Sequence, residues 1–176
     1  MPSAWCQADK SHREMERIAQ TDPLTSLLNM RTFESALNQS LGEGPAYLPI
    51  FDLDRFKLVN DTYGHIFGNE VLVAVAGLMR SQIRAGDLAF RYGGEEFAVL
   101  LRTCSAEQAV QVAERLRAVV SAHSFAPAEG QALHVTISGG LVPLRADQPV
   151  ERQVGEADAL LYQAKAAGRN RILAAV

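Results

Sequence analysis

The sequence predicts one α/β domain in which helices and strands are mixed and at least one pair of strands forms a hairpin. Its 176 residues are enough for a single domain with a buried core. Amphipathic helical repeats alternate with short apolar runs that are typical of strands. The apolar runs Leu88 to Tyr92 and Phe97 to Leu101 flank Gly93-Gly94, which indicates the hairpin.

The first 20 residues differ in character from the rest of the chain. The run from Ser11 to Gln20 is charged and helix-favouring, with apolar residues three apart on one face. Because so short a helix is unstable alone, we predict a lead-in helix that joins a domain beginning at the turn Thr21-Asp22-Pro23. This divides the chain into residues 1–20, a linker helix, and residues 21–176, the folded domain.

The remaining elements are predicted from the spacing of apolar residues and from turn signals. Helices are expected from Thr32 to Leu41 with Gly42 as the stop, around Val71 to Ile83, along Ala109 to Val120, and from Val154 to Ala167 before Gly168. Strands are expected at Tyr47 to Asp52, in both arms of the hairpin, at His134 to Val142 and at the end of the chain. A polar loop is expected after the first strand. Pro49 within that strand lacks an amide donor and would suit an edge position.

The composition excludes several classes of partner. A formal net charge of -3 argues against a nucleic-acid duplex or an anionic membrane surface, although local cations or a metal ion still permit a phosphate substrate. Cys6 and Cys104 lie far apart and indicate neither a disulfide framework nor a zinc site. No stretch predicts a membrane-spanning helix or a secretory signal, so we expect a cytoplasmic protein.

Three carboxylates follow or begin predicted strands: Asp52, Glu95 and Glu96. If these strands are neighbours, the carboxylates converge at one edge of the sheet and repel each other unless a cation neutralises them. Hard oxygen ligands favour Mg²⁺ or Mn²⁺. A Gly-Gly pair with exposed glutamates is also a common solvated turn, so the residues alone leave both interpretations open.

Several cations accompany these acidic residues. Lys57 follows Asp52 by five positions, and Lys165 and Arg169 are four apart, which predicts a shared helical face. Cations near a helix C-terminus are also favoured by the helix dipole, so this pair could be a solvated face. Acidic clusters and cations together favour metal-bound phosphates.

Five motifs now occur in one order, and through them the chain resembles the GGDEF family over residues 21–172. They are Asp22-Pro23-Leu24-Thr25 with Asn29, the run Asp52 to His65, the run Arg91 to Phe97, Ala157-Asp158 with Leu161-Tyr162, and Ala164-Lys165 with Gly168-Arg169-Asn170. The resemblance implies a fold like the polymerase palm and the class III nucleotidyl cyclases, with a ferredoxin-like core: a central, mainly antiparallel sheet covered by helices. It also implies a diguanylate cyclase, in which a homodimer condenses two GTP molecules into cyclic di-GMP and two pyrophosphates.

The resemblance further implies roles for single residues. Two Mg²⁺ or Mn²⁺ ions per half-site are expected at Asp52, Leu53 (through its carbonyl), Glu95 and Glu96. Glu95 is expected to help deprotonate the 3′-hydroxyl and Lys57 to stabilise the pentavalent phosphorus. Substrate contacts are expected at Phe56, Lys57, Asn60, His65, Asn69, Lys165 and Arg169, with Asn60 at the guanine and the last two at the triphosphate. For His65 a loop-ordering hydrogen bond is an equal alternative.

A second site is implied by Arg84-Ala85-Gly86-Asp87, which stands shortly before the hairpin glycines. Arg115 on the following predicted helix matches the additional arginine of the family's product-inhibition site. Arginines bind guanine edges and phosphates in a bidentate manner, which suits cyclic di-GMP as an inhibitor.

The chain departs from the family pattern chiefly at Asn69, where aspartate is usual. An amide presents donors to the donor edge of guanine, a mismatch of about 1–3 kcal/mol if buried. We expect weaker guanine selection without loss of GTP use, because Asn60 remains. Ser26, Met30 and Pro49 also depart from the pattern without touching a metal ligand.

Other functions remain open at this stage. The domain could be a non-catalytic sensor of GTP or cyclic di-GMP, a cyclase with relaxed base selection that makes hybrid GMP–AMP dinucleotides, or the neighbour of a phosphodiesterase domain. The acidic and cationic motif residues are all present, which favours activity. The lead-in helix resembles the family's signalling connector, so an upstream sensory domain is an expected partner.

Overall fold

A computed structural model of the chain describes residues 13–16 and 18–176, and these form a five-stranded sheet with helices on both faces. The strands are β1 (Ala46–Leu53), β2 (Leu88–Arg91), β3 (Glu96–Arg102), β4 (Ile137–Leu144) and β5 (Ile172–Ala174), in the spatial order β2-β3-β1-β4-β5. Only the β4–β5 pair among these strands is parallel. The mainly antiparallel sheet and the hairpin are therefore confirmed.

Five helices with bounds in the described part of the chain cover this sheet. They are α1 (Met30–Ser40), α2 (Phe56–Tyr63), α3 (His65–Gln82), α4 (Ala106–Ala122) and α5 (Val150–Ala166). The prediction of a polar loop after the first strand is wrong, because that segment forms α2 and the first turns of α3. Phe56 and Val59 are buried three residues apart on α2, and Arg55 begins the helix in the left-handed region with φ 56°.

Pro49 lies in the centre of the sheet, so the expectation of an edge position is wrong. β1 pairs with β3 on one side and β4 on the other. The register with β4 runs through Pro49 opposite Leu141, whereas the register with β3 stops after Tyr47 and resumes at Ile50. The strand accepts proline because the missing amide donor is confined to a gap in one ladder.

Two hydrophobic cores lie on opposite faces of the sheet. Alternate residues of β1 divide between them: Phe51 and Leu53 join the core under α3 and α4, whereas Leu48 and Ile50 join the core under α1 and α5. This alternation follows from the two-residue period of a strand. The sheet is thus buried on both faces, and its functional groups have to lie at its edges and strand ends.

The helix predicted at Ser11 to Gln20 lies partly outside the described residues. Residues 13–16 and 18–20 are helical. Asn29 donates to the carbonyl of Ala19 (2.9 Å) and Thr32 to that of Gln20 (2.8 Å), which joins the end of this helix to the start of α1. In the part of the chain that the structure describes, no helix combines the length and hydropathy needed to span a bilayer.

Candidate active site

The three predicted carboxylates come together where β1 ends and β3 begins. Asp52 lies directly opposite Glu96 in the β1–β3 register. The amide of Leu53 donates to the carbonyl of Glu95 at 3.1 Å, which holds that residue beside the end of β1. Opposite side chains in paired strands have Cβ atoms about 4.5–5.5 Å apart, so the carboxylates of Asp52 and Glu96 lie close together.

Lys165 on α5 brings a cation to this cluster. Its Nζ atom lies 3.0 Å from Oδ1 of Asp52, whose side chain is nearly buried. The approach depends on Gly140 of β4, because a Cβ atom there would collide with the carbonyl oxygen of Ala157 in α5. A glycine in the strand therefore lets the helix, and with it the lysine, reach the acidic strand ends.

The hairpin turn is shaped around Glu96. A Cβ atom on Gly93 would collide with the Glu96 carboxylate, so the first glycine of the motif makes room for that group. Arg91 donates to the carbonyl of Gly94 at 2.7 Å and forms an ion pair with Asp22 at 3.2 Å. The turn is thus held by specific contacts, which a freely solvated turn does not require.

The acidic cluster carries more negative charge than its lysine neutralises. Burial raises the pKa of Asp52, and this effect outweighs the lowering by Lys165. Burial also raises the pKa of Glu95 and Glu96, and the charge of Asp52 raises both further. Asp158, whose pKa is itself raised by burial, adds to the effect on Glu96. An additional cation would relieve this repulsion.

The residues present fit a divalent metal ion. Within the described residues, Oδ1 of Asp52 is buried and accepts no hydrogen bond of good geometry, even though Lys165 lies close to it. Across residues 13–16 and 18–176, no three acidic, imidazole or thiol groups already surround one point as ligands. Glu95 and Glu96 are only half-buried, so their side chains can rotate towards an ion. Three carboxylates and the Leu53 carbonyl form a hard oxygen set of the kind that Mg²⁺ and Mn²⁺ prefer.

Lys165 and Arg169 do not share a helical face, so that prediction is wrong. α5 ends at Ala166, and Gly168 (φ 118°) and Arg169 (φ 62°) then turn the chain away. Arg169 instead lines a cavity of about 350 Å³ together with Arg55. Two residues four positions apart share a face only if the helix continues through both of them, and α5 ends before Arg169.

Asp54 lies beside the candidate site, and the sequence alone assigns it no role. Its buried carboxylate accepts from the hydroxyls of Thr136 (2.7 Å) and Ser138 (2.8 Å) and from the amide of Asn170 (3.0 Å). It therefore ties the end of β1 to β4 and to the loop that carries Arg169. The available signal in the sequence was a second acidic residue directly after β1, in the pattern Asp52-x-Asp54.

The residues expected at the nucleobase lie on or beside α2 and α3. A Cβ atom on Gly68 would collide with the side-chain oxygen of Asn60 and lie 3.3 Å from the ring of Phe56, so these three residues are in contact. Asn69, the next residue, lines a different, open cavity of about 460 Å³ together with Glu70 and four apolar residues. His65 is the exposed first residue of α3.

The ion pair of Lys57 lies within α2. The lysine is exposed, and its partner is Asp61 one turn later, at 2.8 Å. This contact, with the charge of Asp61, raises the pKa of Lys57. An exposed pair of this kind is weak, so the lysine is free to exchange partners.

The three residues of the expected inhibitory site line one cavity of about 190 Å³: Arg84, Asp87 and Arg115. Arg115 on α4 donates to the carbonyl of Gln82 at 2.7 Å, at the end of α3. β2 begins directly after Asp87 and leads to the hairpin, so the two candidate sites lie at opposite ends of one short strand.

Comparison with known proteins agrees with this geometry. Residues 19–171 match the family described as "Diguanylate cyclase, GGDEF domain". The chain belongs to this family. Diguanylate cyclase DgcP of Pseudomonas aeruginosa is 40% identical over an alignment of 172 residues that covers 94% of this chain and 26% of that protein. The chain spans between 26% and 52% of the lengths of the first curated relatives, which are therefore much longer proteins.

Solved GGDEF structures share the fold. The GGDEF domain of DgcB from Caulobacter crescentus, in complex with c-di-GMP, has a TM-score of 0.83 at 32% identity, covering 89% of this chain and 93% of that one. The active GGEEF domain of a diguanylate cyclase from Vibrio cholerae has a TM-score of 0.78 at 32% identity, covering 84% and 97% of the two chains. The palm-like fold expected from the motifs is thereby confirmed.

Proposed function

We propose that this GGDEF domain is a diguanylate cyclase that joins two GTP molecules into cyclic di-GMP and releases pyrophosphate. The observation that carries the proposal is the acidic pair Asp52 and Glu96, opposite each other and reached by Lys165. Named diguanylate cyclases among the relatives support the same reaction, and the Vibrio cholerae structure is described as active with glutamate in the third motif position.

The acidic residues and the Leu53 carbonyl would hold two Mg²⁺ or Mn²⁺ ions per half-site, which would polarise the α-phosphate and lower the pKa of the attacking hydroxyl. Glu95 accepts the proton of the 3′-hydroxyl. Lys57 exchanges Asp61 for the transferring phosphate, which is possible because the existing pair is exposed. Lys165 and Arg169 bind the triphosphate from two sides.

The reaction requires two copies of the domain. One active site holds one GTP, and the hydroxyl that attacks its α-phosphate belongs to the GTP of the partner. The rate therefore depends on a homodimer, and an upstream sensory domain joined through the linker segment predicted at residues 1–20 would control its formation. Arg84, Asp87 and Arg115 would bind cyclic di-GMP as a product inhibitor.

Asn69 bears on base selection. It lines an open cavity, so solvent lowers the cost of a mismatched hydrogen bond with guanine. We predict that the protein uses GTP but incorporates some ATP when both are present, giving a hybrid GMP–AMP dinucleotide detectable by mass spectrometry. Normal GTP affinity with no hybrid product would contradict relaxed selection.

The proposed reaction is tested by pyrophosphate release from GTP with Mg²⁺. Wild-type protein should release pyrophosphate, and Glu95→Gln should lower the rate about 100-fold or more, because it removes both the proton acceptor and a metal ligand. Arg152→Ala is the control. It removes an exposed arginine near the start of α5, at the opposite end of the helix from Lys165, and should keep the wild-type rate. No release by concentrated wild-type protein would favour a non-catalytic sensor.

A further inference from the structure

Arg102, the last residue of β3, contacts three of the four residues of the turn Arg84 to Asp87. Its amide donates to Oδ1 of Asp87 at 3.1 Å, and its Nε donates to the carbonyl of Gly86 at 2.9 Å. Its carbonyl accepts from Nη2 of Arg84 at 2.9 Å. A single residue of the sheet thus holds the turn by its amide, its carbonyl and its side chain.

These contacts determine where the two charged groups of the turn lie. Both oxygens of Asp87 are engaged, Oδ1 by Arg102 and Oδ2 by the amide of Arg84 at 3.1 Å, and the residue is only 6% exposed. The guanidinium of Arg84 is held between the Arg102 carbonyl and Asp87, whose Oδ2 lies 3.7 Å from its Nε. Hydrogen bonds to charged groups are stronger than neutral ones, so this arrangement resists rotation of either side chain.

Arg102 contacts the turn but does not line the candidate inhibitor cavity. The cavity of about 190 Å³ is lined by Arg84, Asp87 and Arg115 but not by Arg102. Arg102 lines a different cavity, of about 450 Å³, to which Arg84, Gly86 and Asp87 also contribute. A ligand in the smaller cavity would therefore meet two groups whose orientation Arg102 sets without touching the ligand.

We propose that Arg102 is a positioning residue of the inhibitory site, which pre-orders Arg84 and Asp87 for cyclic di-GMP. The proposal rests on the function proposed above for that site. Preordering increases affinity because the ordering of the turn does not have to occur on binding. The side-chain bond from Nε to Gly86 is the part that substitution can remove, whereas the two backbone contacts persist in any variant other than proline.

Two substitutions separate positioning from charge. In glutamine, Nε2 is the same number of bonds from Cα as Nε in arginine, so Arg102→Gln keeps a donor for the Gly86 carbonyl and removes the charge. Arg102→Ala removes both. Binding of cyclic di-GMP by titration calorimetry should weaken about 2–10-fold in Arg102→Ala, the range that one hydrogen bond of about 0.5–1.5 kcal/mol gives. Arg102→Gln should stay within about twofold of wild type on the same reasoning.

Two further readouts exclude a general structural effect. The rate of GTP turnover at low product concentration should be unchanged in both variants, and Arg152→Ala should bind cyclic di-GMP like wild type. In the ligand-free protein, hydrogen exchange at the amides of Arg84 and Asp87 should be faster in Arg102→Ala and close to wild type in Arg102→Gln, because these amides report the order of the turn.

The outcomes distinguish the two levels of the proposal. Wild-type affinity and unchanged exchange in Arg102→Ala would overturn the positioning role while leaving the inhibitory site intact. Equal weakening in both variants, with unchanged exchange, would make Arg102 a direct charge contact and would also overturn it. Failure of the wild-type protein to bind cyclic di-GMP would overturn the inhibitory site itself, and with it the positioning of that ligand.

Discussion

Asp22 and Arg91 join the first loop of the domain to the hairpin that carries the acidic residues. The carboxylate of Asp22 accepts from the amide and hydroxyl of Thr25, at 2.8 and 2.7 Å, and from Arg91 at 3.2 Å. Burial alone would raise the pKa of Asp22, but these hydrogen bonds and the arginine charge outweigh it and lower the pKa. The ionised carboxylate therefore stabilises the fold.

Replacing Asp22 tests this residue-scale contact. Asp22→Asn should lower the free energy of unfolding at pH 7 by about 1–3 kcal/mol, measured by urea titration, because the half-buried Arg91 loses its negatively charged partner and one of its two acceptor oxygens. The contribution is present above the ordinary aspartate pKa of 3.8 and is lost as the pH falls through the lower folded value. The difference from wild type should shrink in acid. Asp147→Asn, at an exposed turn, is the control, and a difference independent of pH would contradict this account.

At the residue scale, the predictable part of the site is the part that strand ends determine. Asp52 and Glu96 could be placed together because a hairpin and a neighbouring strand bring such residues to one edge. The position of Arg169 could not be predicted, since α5 stops earlier than the spacing suggests and a left-handed turn follows. The role of Asp54 depends on partners more than 80 positions away, which no local pattern contains.

At the element scale, the site depends on how closely α5 packs against β4. Gly140 allows this packing, because a side chain there would meet the backbone of α5 at Ala157 and Leu161. The same helix carries Lys165, so packing and charge placement are coupled. The sequence did not predict helix α2, because only two of its eight residues are buried and so short an apolar pattern does not show a helical period.

A pair of glycine substitutions tests the packing. Gly140→Ala should lower the free energy of unfolding by about 1–3 kcal/mol and reduce GTP turnover, because backbone atoms of α5 have to move. Gly155 lies in α5 itself, and a Cβ atom there would meet open space. Gly155→Ala should therefore be neutral or stabilising by up to about 1 kcal/mol. Denaturant titration and pyrophosphate assays measure both effects. A tolerated Gly140→Ala with full activity would contradict the coupling.

At the scale of the whole molecule, the sheet places a candidate catalytic edge and a candidate inhibitory cavity at opposite ends of the β2–β3 pair. The fold class was predictable because five motifs in order specify the family and hydrophobic periods specify most elements. The central position of β1 was not predictable from Pro49, since a single gap in one ladder accommodates the proline. In the proposed reaction the acidic edge binds one GTP and a second copy of the domain supplies the attacking hydroxyl, so we expect activity from a pair of domains.

The most direct test of the central claim is the product formed from GTP and Mg²⁺, identified by mass spectrometry over a range of protein concentrations. We predict cyclic di-GMP, with a rate per protein molecule that rises with concentration until the dimer is saturated. Absence of cyclic di-GMP at every concentration, from folded protein that still binds GTP, would contradict the assignment of the acidic edge as a cyclase active site.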